Sequence, residues 1–230
     1  MVLYYYVQLG GEPMTVRETG ARPFPPDQPV EIRQGFHDAA ALFVDSVSRV
    51  PVDAWDRPGL GEWTIRALVG HTSRALVTVE TYLEAGADTV AIVGPADYFL
   101  SALASPTAAA AVAERGRQAG AALGDDPADA MRVLQARVVA RLATAPDDAL
   151  VGTPFGGMTL LDYLPTRIVE LTIHTLDLAA ALGEVVTLPE NASAITVGVI
   201  ADLARRRGLT GPFLLAATGR RSLPEGFSVL

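Results

Sequence analysis

The stretch Arg167-Ile-Val-Glu170-Leu-Thr-Ile-His174-Thr-Leu-Asp177 decides how this chain is read. As a helix, it places Glu170 and His174 one turn apart on one face, because residues four apart sit above one another. Asp177, three residues further on, stays on or near that face. Upstream, Thr159-Leu-Leu-Asp162 is a capping-box pattern that opens the helix, and Gly183 suits its end. Pro165 falls inside it and is expected to kink it.

Other helices follow on both sides. Phe36, Leu42, Phe43 and Val47 lie near one face of a helix over 30–50, with Pro51 as its stop. Ile65, Leu68, Thr72, Leu76, Val79 and Leu83 make one buried stripe of a second helix over 64–85, capped by Gly86. A looser segment covers 87–103. Ser105-Pro106 and Asp126-Pro127 each pair a capping side chain with Pro at the first helical position, predicting helices over 106–123 and 127–144. A last long helix spans 190–207, with Glu190 at its positive end and Arg205, Arg206 and Arg207 at its negative end. The intervening stretches 51–62 and 145–157 carry Gly and Pro and read as loops. In the tail, the apolar run Phe213–Thr218 and the end at Phe227–Leu230 suggest a short β-hairpin.

The N-terminal stretch is irregular. Gly10-Gly11, Pro13 and Arg22-Pro23-Phe24-Pro25-Pro26 interrupt regular structure over 1–26. Either Met14 is the genuine start, or Tyr4–Val7 forms an extra strand or a dimer arm. Composition narrows the function classes. A net charge of −8 opposes a nucleic-acid surface, which needs a basic stripe. No apolar run is long enough for a membrane span. The start lacks the basic leader and cleavage pattern of a signal peptide, which is compatible with the cytoplasm. The absence of cysteine excludes disulfides, thiolate ligands and a cysteine nucleophile. Thiol chemistry would need a thiol from a cosubstrate.

The chain has three histidines, His37, His71 and His174. In an antiparallel bundle, His71 on the second helix can face Glu170 and His174. Two imidazoles and a carboxylate form a donor set for zinc, or for nickel or iron, with one position open. Spacing alone leaves the alternatives open: a surface Glu/His pair, and a core histidine bonded to a carbonyl. Asp177 either fixes the tautomer of His174 or is solvated. Arg167 either contacts an acidic substrate or pairs with Glu170. His37 has no partner at suggestive spacing and reads as an ordinary helix residue. Trp55 and Trp63 read as packing residues at the entry to the second helix, and Arg220-Arg221 as a solvated turn. No phosphate loop, nucleophile elbow or H-E-x-x-H motif is present.

Two signatures in order carry a family resemblance. Ala54-Trp55-Asp-Arg-Pro58 followed by Glu62-Trp63-Thr64-Ile-Arg-Ala-Leu68-Val-Gly-His71 resembles the N-terminal signature of mycothiol-dependent maleylpyruvate isomerase-type proteins, within the wider DinB-like metal-binding group. The stretch Arg167–Asp177 resembles the second signature, and Leu214-Leu-Ala-Ala-Thr-Gly219-Arg220 the tail. The resemblance implies a mainly α fold: an up-down four-helix bundle with an additional helix. The metal-binding bundle would occupy 27–210, between an irregular extension (1–26) and a short tail (211–230). It implies that His71, Glu170 and His174 hold a divalent metal, usually zinc, in a pocket at one end. It also implies mycothiol as cosubstrate, in a thiol-using transferase or isomerase acting on a small electrophile. Ala87–Leu103 holds no Arg and the chain continues only briefly past the bundle, which suits the alternative of a non-catalytic, metal-stabilised binding or regulatory module. A homodimer is a further expectation, from the apolar start and tail.

Overall fold

The computed structural model describes residues 28–104 and 108–230. The expectations for 1–26 and for the Ser105-Pro106 start lie outside the described residues. The chain is mainly helical, with two small antiparallel strand pairs. Helix α1 spans Pro29–Ser48. Its buried Ile32, Phe36, Ala39, Ala40, Phe43 and Val47 recur at helical spacing, so one stripe faces the core. Helix α2, Ile65–Ala85, begins where the Thr64 hydroxyl accepts a hydrogen bond from the Ala67 N–H at 3.2 Å. That bond satisfies one of the amides left free at a helix start. Helices α3 (Pro95–Leu103) and α4 (Ala108–Ala122) follow. The Asp126 carboxylate accepts from the Asp129 N–H at 2.9 Å and starts α5, Pro127–Thr144.

Thr159 caps α6 (Leu160–Leu182) by accepting from the Asp162 N–H, while its own hydroxyl donates to the Asp162 carboxylate. The helix runs unbroken through Pro165. Helix α7 spans Glu190–Arg206 and α8 spans Thr210–Ala217. Among the described residues, no helix is long and apolar enough to cross a membrane.

Four helices enclose the core in the cyclic order α1, α6, α2, α5. Helix α6 runs parallel to α1, since Gly35 lies beside Ile168 and Arg49 pairs with Glu184 at the far end. Helix α6 opposes α2: the Tyr163 hydroxyl donates to Thr78 Oγ1 at 2.7 Å, and His71 meets Glu170 one level up. The core holds Phe36, Phe43, Leu68, Met131, Leu164 and Ile168, all without solvent exposure. Each such side chain contributes about 1.5–3 kcal/mol. Helix α4 lies outside this ring, on α2. The two backbones touch at Gly70 and Gly120, where neither position has room for a Cβ. Helix α7 packs on α1 and α6, and α3 on α6 and α7.

Three expectations need correction. The segment 87–103 is not loose throughout: α3 occupies its second half, started by Pro95 at its first turn. The loops 51–62 and 145–157 contain strands. Strand β1 (Pro58–Leu60) pairs with β2 (Trp63–Thr64), and β3 (Leu150–Thr153) with β4 (Gly156–Thr159), in the register Leu150↔Thr159 to Thr153↔Gly156. Each hairpin delivers the chain directly to the N-cap of a long helix. The C-terminal β-hairpin is absent. The run Phe213–Ala217 is helical, because Leu and Ala favour helix and Pro212 falls in the first turn, where no N–H is needed.

Candidate metal centre

Helices α2 and α6 bring three donors together. Glu170 Oε2 lies 3.5 Å from His71 Nε2 and 3.4 Å from His174 Nε2. The three donor atoms lie within 4.8 Å of one another. The imidazole rings of His71 and His174 meet edge to face, with centroids 4.8 Å apart. Two imidazole nitrogens and a carboxylate oxygen, converging from two rigid helices, fit a divalent ion that keeps a position free for a further ligand.

The surroundings hold these side chains in defined states. His174 Nδ1 lies 2.9 Å from Asp177 Oδ2. Burial works against charge on His174, but hydrogen bonds to Asp177 and Glu170 outweigh it and push the imidazole up to about 9. Burial alone would raise Glu170; hydrogen bonding to His174 and His71, with the nearby Arg167 charge, instead holds it well below the usual carboxylate range. His71 differs from His174, since its Nδ1 is buried with no hydrogen-bond partner.

His71 and Glu170 form part of the wall of a cavity of about 450 Å³. Its other walls come from α2, α3, α4 and the β3–β4 hairpin, including Thr78, Tyr82, Tyr98 and Phe155. Three arginines, Arg74, Arg115 and Arg167, also line it. Arg167 is buried at 7% exposure. It forms no ion pair with Glu170. Its guanidinium lies over the rings of Tyr98 and Tyr163, 5.2 and 4.9 Å from their centroids, and its Nε donates to Thr166 Oγ1. Among the described residues, no carboxylate pairs with any of the three arginines.

His71, Glu170 and His174 therefore meet at one point, with Asp177 at His174 Nδ1 and Arg167 one turn before Glu170 on α6, in the wall of the same cavity. His37 lies elsewhere, beside a surface depression whose Arg33 is already occupied by Asp147 and by the carbonyls of Leu142 and Ala145. Arg74 and Arg115 escaped notice in the sequence because nothing local sets them apart from solvated helix arginines. Trp63 was read as packing alone, yet its ring lies on that of His71 at 4.6 Å.

The family model described as the mycothiol maleylpyruvate isomerase N-terminal domain matches residues 36–179, more than half of the chain. The chain belongs to this family. The match takes in α2 and nearly all of α6, and with them all three donors, Asp177 and Arg167. No curated protein and no solved structure matches the chain.

Proposed function

We propose that the protein is a zinc-dependent, mycothiol-using transferase or isomerase acting on a small electrophile. The observation that supports this best is the convergence of His71, Glu170 and His174 within 4.8 Å, with His71 and Glu170 in the wall of a cavity large enough for small molecules. A site serving only to brace the fold would be closed by a fourth protein ligand. The cavity beside Glu170 favours the enzyme over the non-catalytic module.

His71, Glu170 and His174 would hold the ion. It supplies Lewis acidity that favours the thiolate form of a thiol near neutral pH. Asp177 holds the Nδ1 side of His174, which fixes the ring so that Nε2 faces the donor cluster. Arg167 would orient the electrophile through an anionic group. The Arg167 guanidinium is buried with no ion pair, offset by the charge of Glu170 and by the faces of Tyr98 and Tyr163, and an anionic ligand would relieve the remaining cost. Tyr82, Tyr98 and Phe155 exclude water around the reacting carbon. The thiol sulfur bonds to that carbon. If the carbon belongs to a conjugated double bond, addition leaves a single bond free to rotate, and loss of the sulfur restores the alkene as its isomer. If the sulfur–carbon bond is kept, a proton or the departure of a leaving group completes a transfer.

Titration calorimetry of zinc-loaded protein with mycothiol tests the thiol half. The expected result is saturable binding at one site, lost in Glu170→Gln. No heat from protein with intact zinc would remove the thiol from this account.

A further inference from the structure

The two imidazoles of the cluster are held by different means. His174 has Asp177 at its Nδ1. His71 has no hydrogen-bond partner at Nδ1, which is nevertheless buried. A ligand imidazole ordinarily donates its second N–H to a carboxylate, carbonyl or water, and that bond sets the ring's orientation. Something else must orient His71.

Trp63 occupies that place. Its ring lies over the His71 ring at 4.6 Å between centroids, tilted by 31°. The indole is itself fixed, since Nε1–H donates to the Ala113 carbonyl on α4 at 3.2 Å. Gly116, one turn along α4, packs against the same edge of the indole. A Cβ there would lie 3.1 and 3.2 Å from the indole carbons Cε2 and Cζ2, and 3.3 Å from His71 Cβ. Helix α4 therefore seats one edge of the indole, and the indole faces the imidazole. The edge of His174 meets His71 at 85° and limits the ring from a second direction.

We propose that Trp63 is the positioning residue of His71, its stacked indole taking the part that the Asp177 hydrogen bond takes at His174. The proposal rests on the reading of His71 as a metal ligand. Its consequence is that α4, which supplies no donor, controls one ligand through the Ala113–Trp63–His71 contacts. Access to the centre and affinity for the ion are thereby tied to the seating of α4 on α2.

The test uses the full chain, untagged, with zinc affinity measured by chelator competition and Co2+ as a spectroscopic probe. Trp63→Phe keeps an aromatic face and is expected to bind zinc within about threefold of wild type. Trp63→Leu is expected to lose ~10–100-fold in affinity, the size of effect seen when an outer partner of a ligand is removed. Its Co2+ visible spectrum should shift, whereas that of Trp63→Phe should not. Trp55→Leu serves as a control for loss of a tryptophan away from the cluster, with an unchanged spectrum. A Trp63→Leu protein with wild-type affinity and spectrum overturns the proposal while leaving the metal site standing. Failure of the wild type to bind either metal overturns both. If Trp63→Leu does not fold, Gly116→Ala decides: a shifted Co2+ spectrum supports the proposal and an unchanged one overturns it.

Discussion

At the cluster itself, one carboxylate oxygen sits between two imidazole nitrogens, and the protonation of His174 follows from its partners. Asp177 on one side and Glu170 on the other stabilise the imidazolium against burial, so the ring keeps a proton until about pH 9. Nε2 can donate to a metal only after that proton leaves, so ion binding and proton binding compete. Zinc affinity should rise about tenfold per pH unit between ~7 and ~9 and then level off, with about one proton released per ion at pH ~7. Calorimetry in buffers of different ionisation enthalpy would count the proton. An affinity independent of pH across that interval would mean that Asp177 and Glu170 do not hold the proton on His174 as described. Caps and apolar stripes placed His71 and the Glu170/His174 pair on helices in the sequence, but spacing left their role open, and it was the family resemblance that joined them into one donor set. Arg74, Arg115 and the role of Trp63 were not legible there, since each depends on which helix lies opposite.

Between elements, the closest approach is that of α2 to α4. Gly70 on one and Gly120 on the other leave no room for a methyl group. Gly70→Ala forces the two backbones apart, an overpacking that no side-chain rotation relieves. It should cost about 3 kcal/mol, read from a lowered urea midpoint at unchanged slope. A variant as stable as the wild type would mean that α4 is not seated as described. Helix α4 was anticipated as a helix, but its glycines carry no local sign of the contact they make. The short strands β1 to β4 escaped because runs of two to four residues hold too little alternation to read. The tail was misassigned for the opposite reason. A short apolar run such as Phe213-Leu-Leu-Ala216 fits helix and strand equally by pattern, and α8 shows which one the chain adopts.

Across the whole molecule, α2 and α6 are neighbours joined along their length by packing, by the Tyr163–Thr78 hydrogen bond and by the donor cluster. An ion held by His71 on α2 and by Glu170 and His174 on α6 is a cross-link between two elements of the core. It binds the folded chain and not the unfolded one, so it stabilises by mass action, by about 4 kcal/mol at a free concentration ~1,000 times the dissociation constant. For a domain of this size, zinc should raise Tm by roughly 8–16 °C over chelator-treated protein. His174→Ala should melt at one temperature with or without zinc. The main fold was legible because the long helices announce their caps and stripes. The excursion of α3 and α4 over the cavity was not, since it depends on contacts distant in the sequence.

If His71, Glu170 and His174 together hold one divalent ion, the ion must be retained in stoichiometric amount. Metal content by mass spectrometry decides it most directly, on untagged protein purified without chelator, reconstituted with zinc and dialysed, beside Glu170→Gln treated in the same way. One zinc per chain is expected in the wild type, and none retained by a folded Glu170→Gln. A wild-type chain that emerges without zinc, or a variant that keeps a full equivalent, would contradict it.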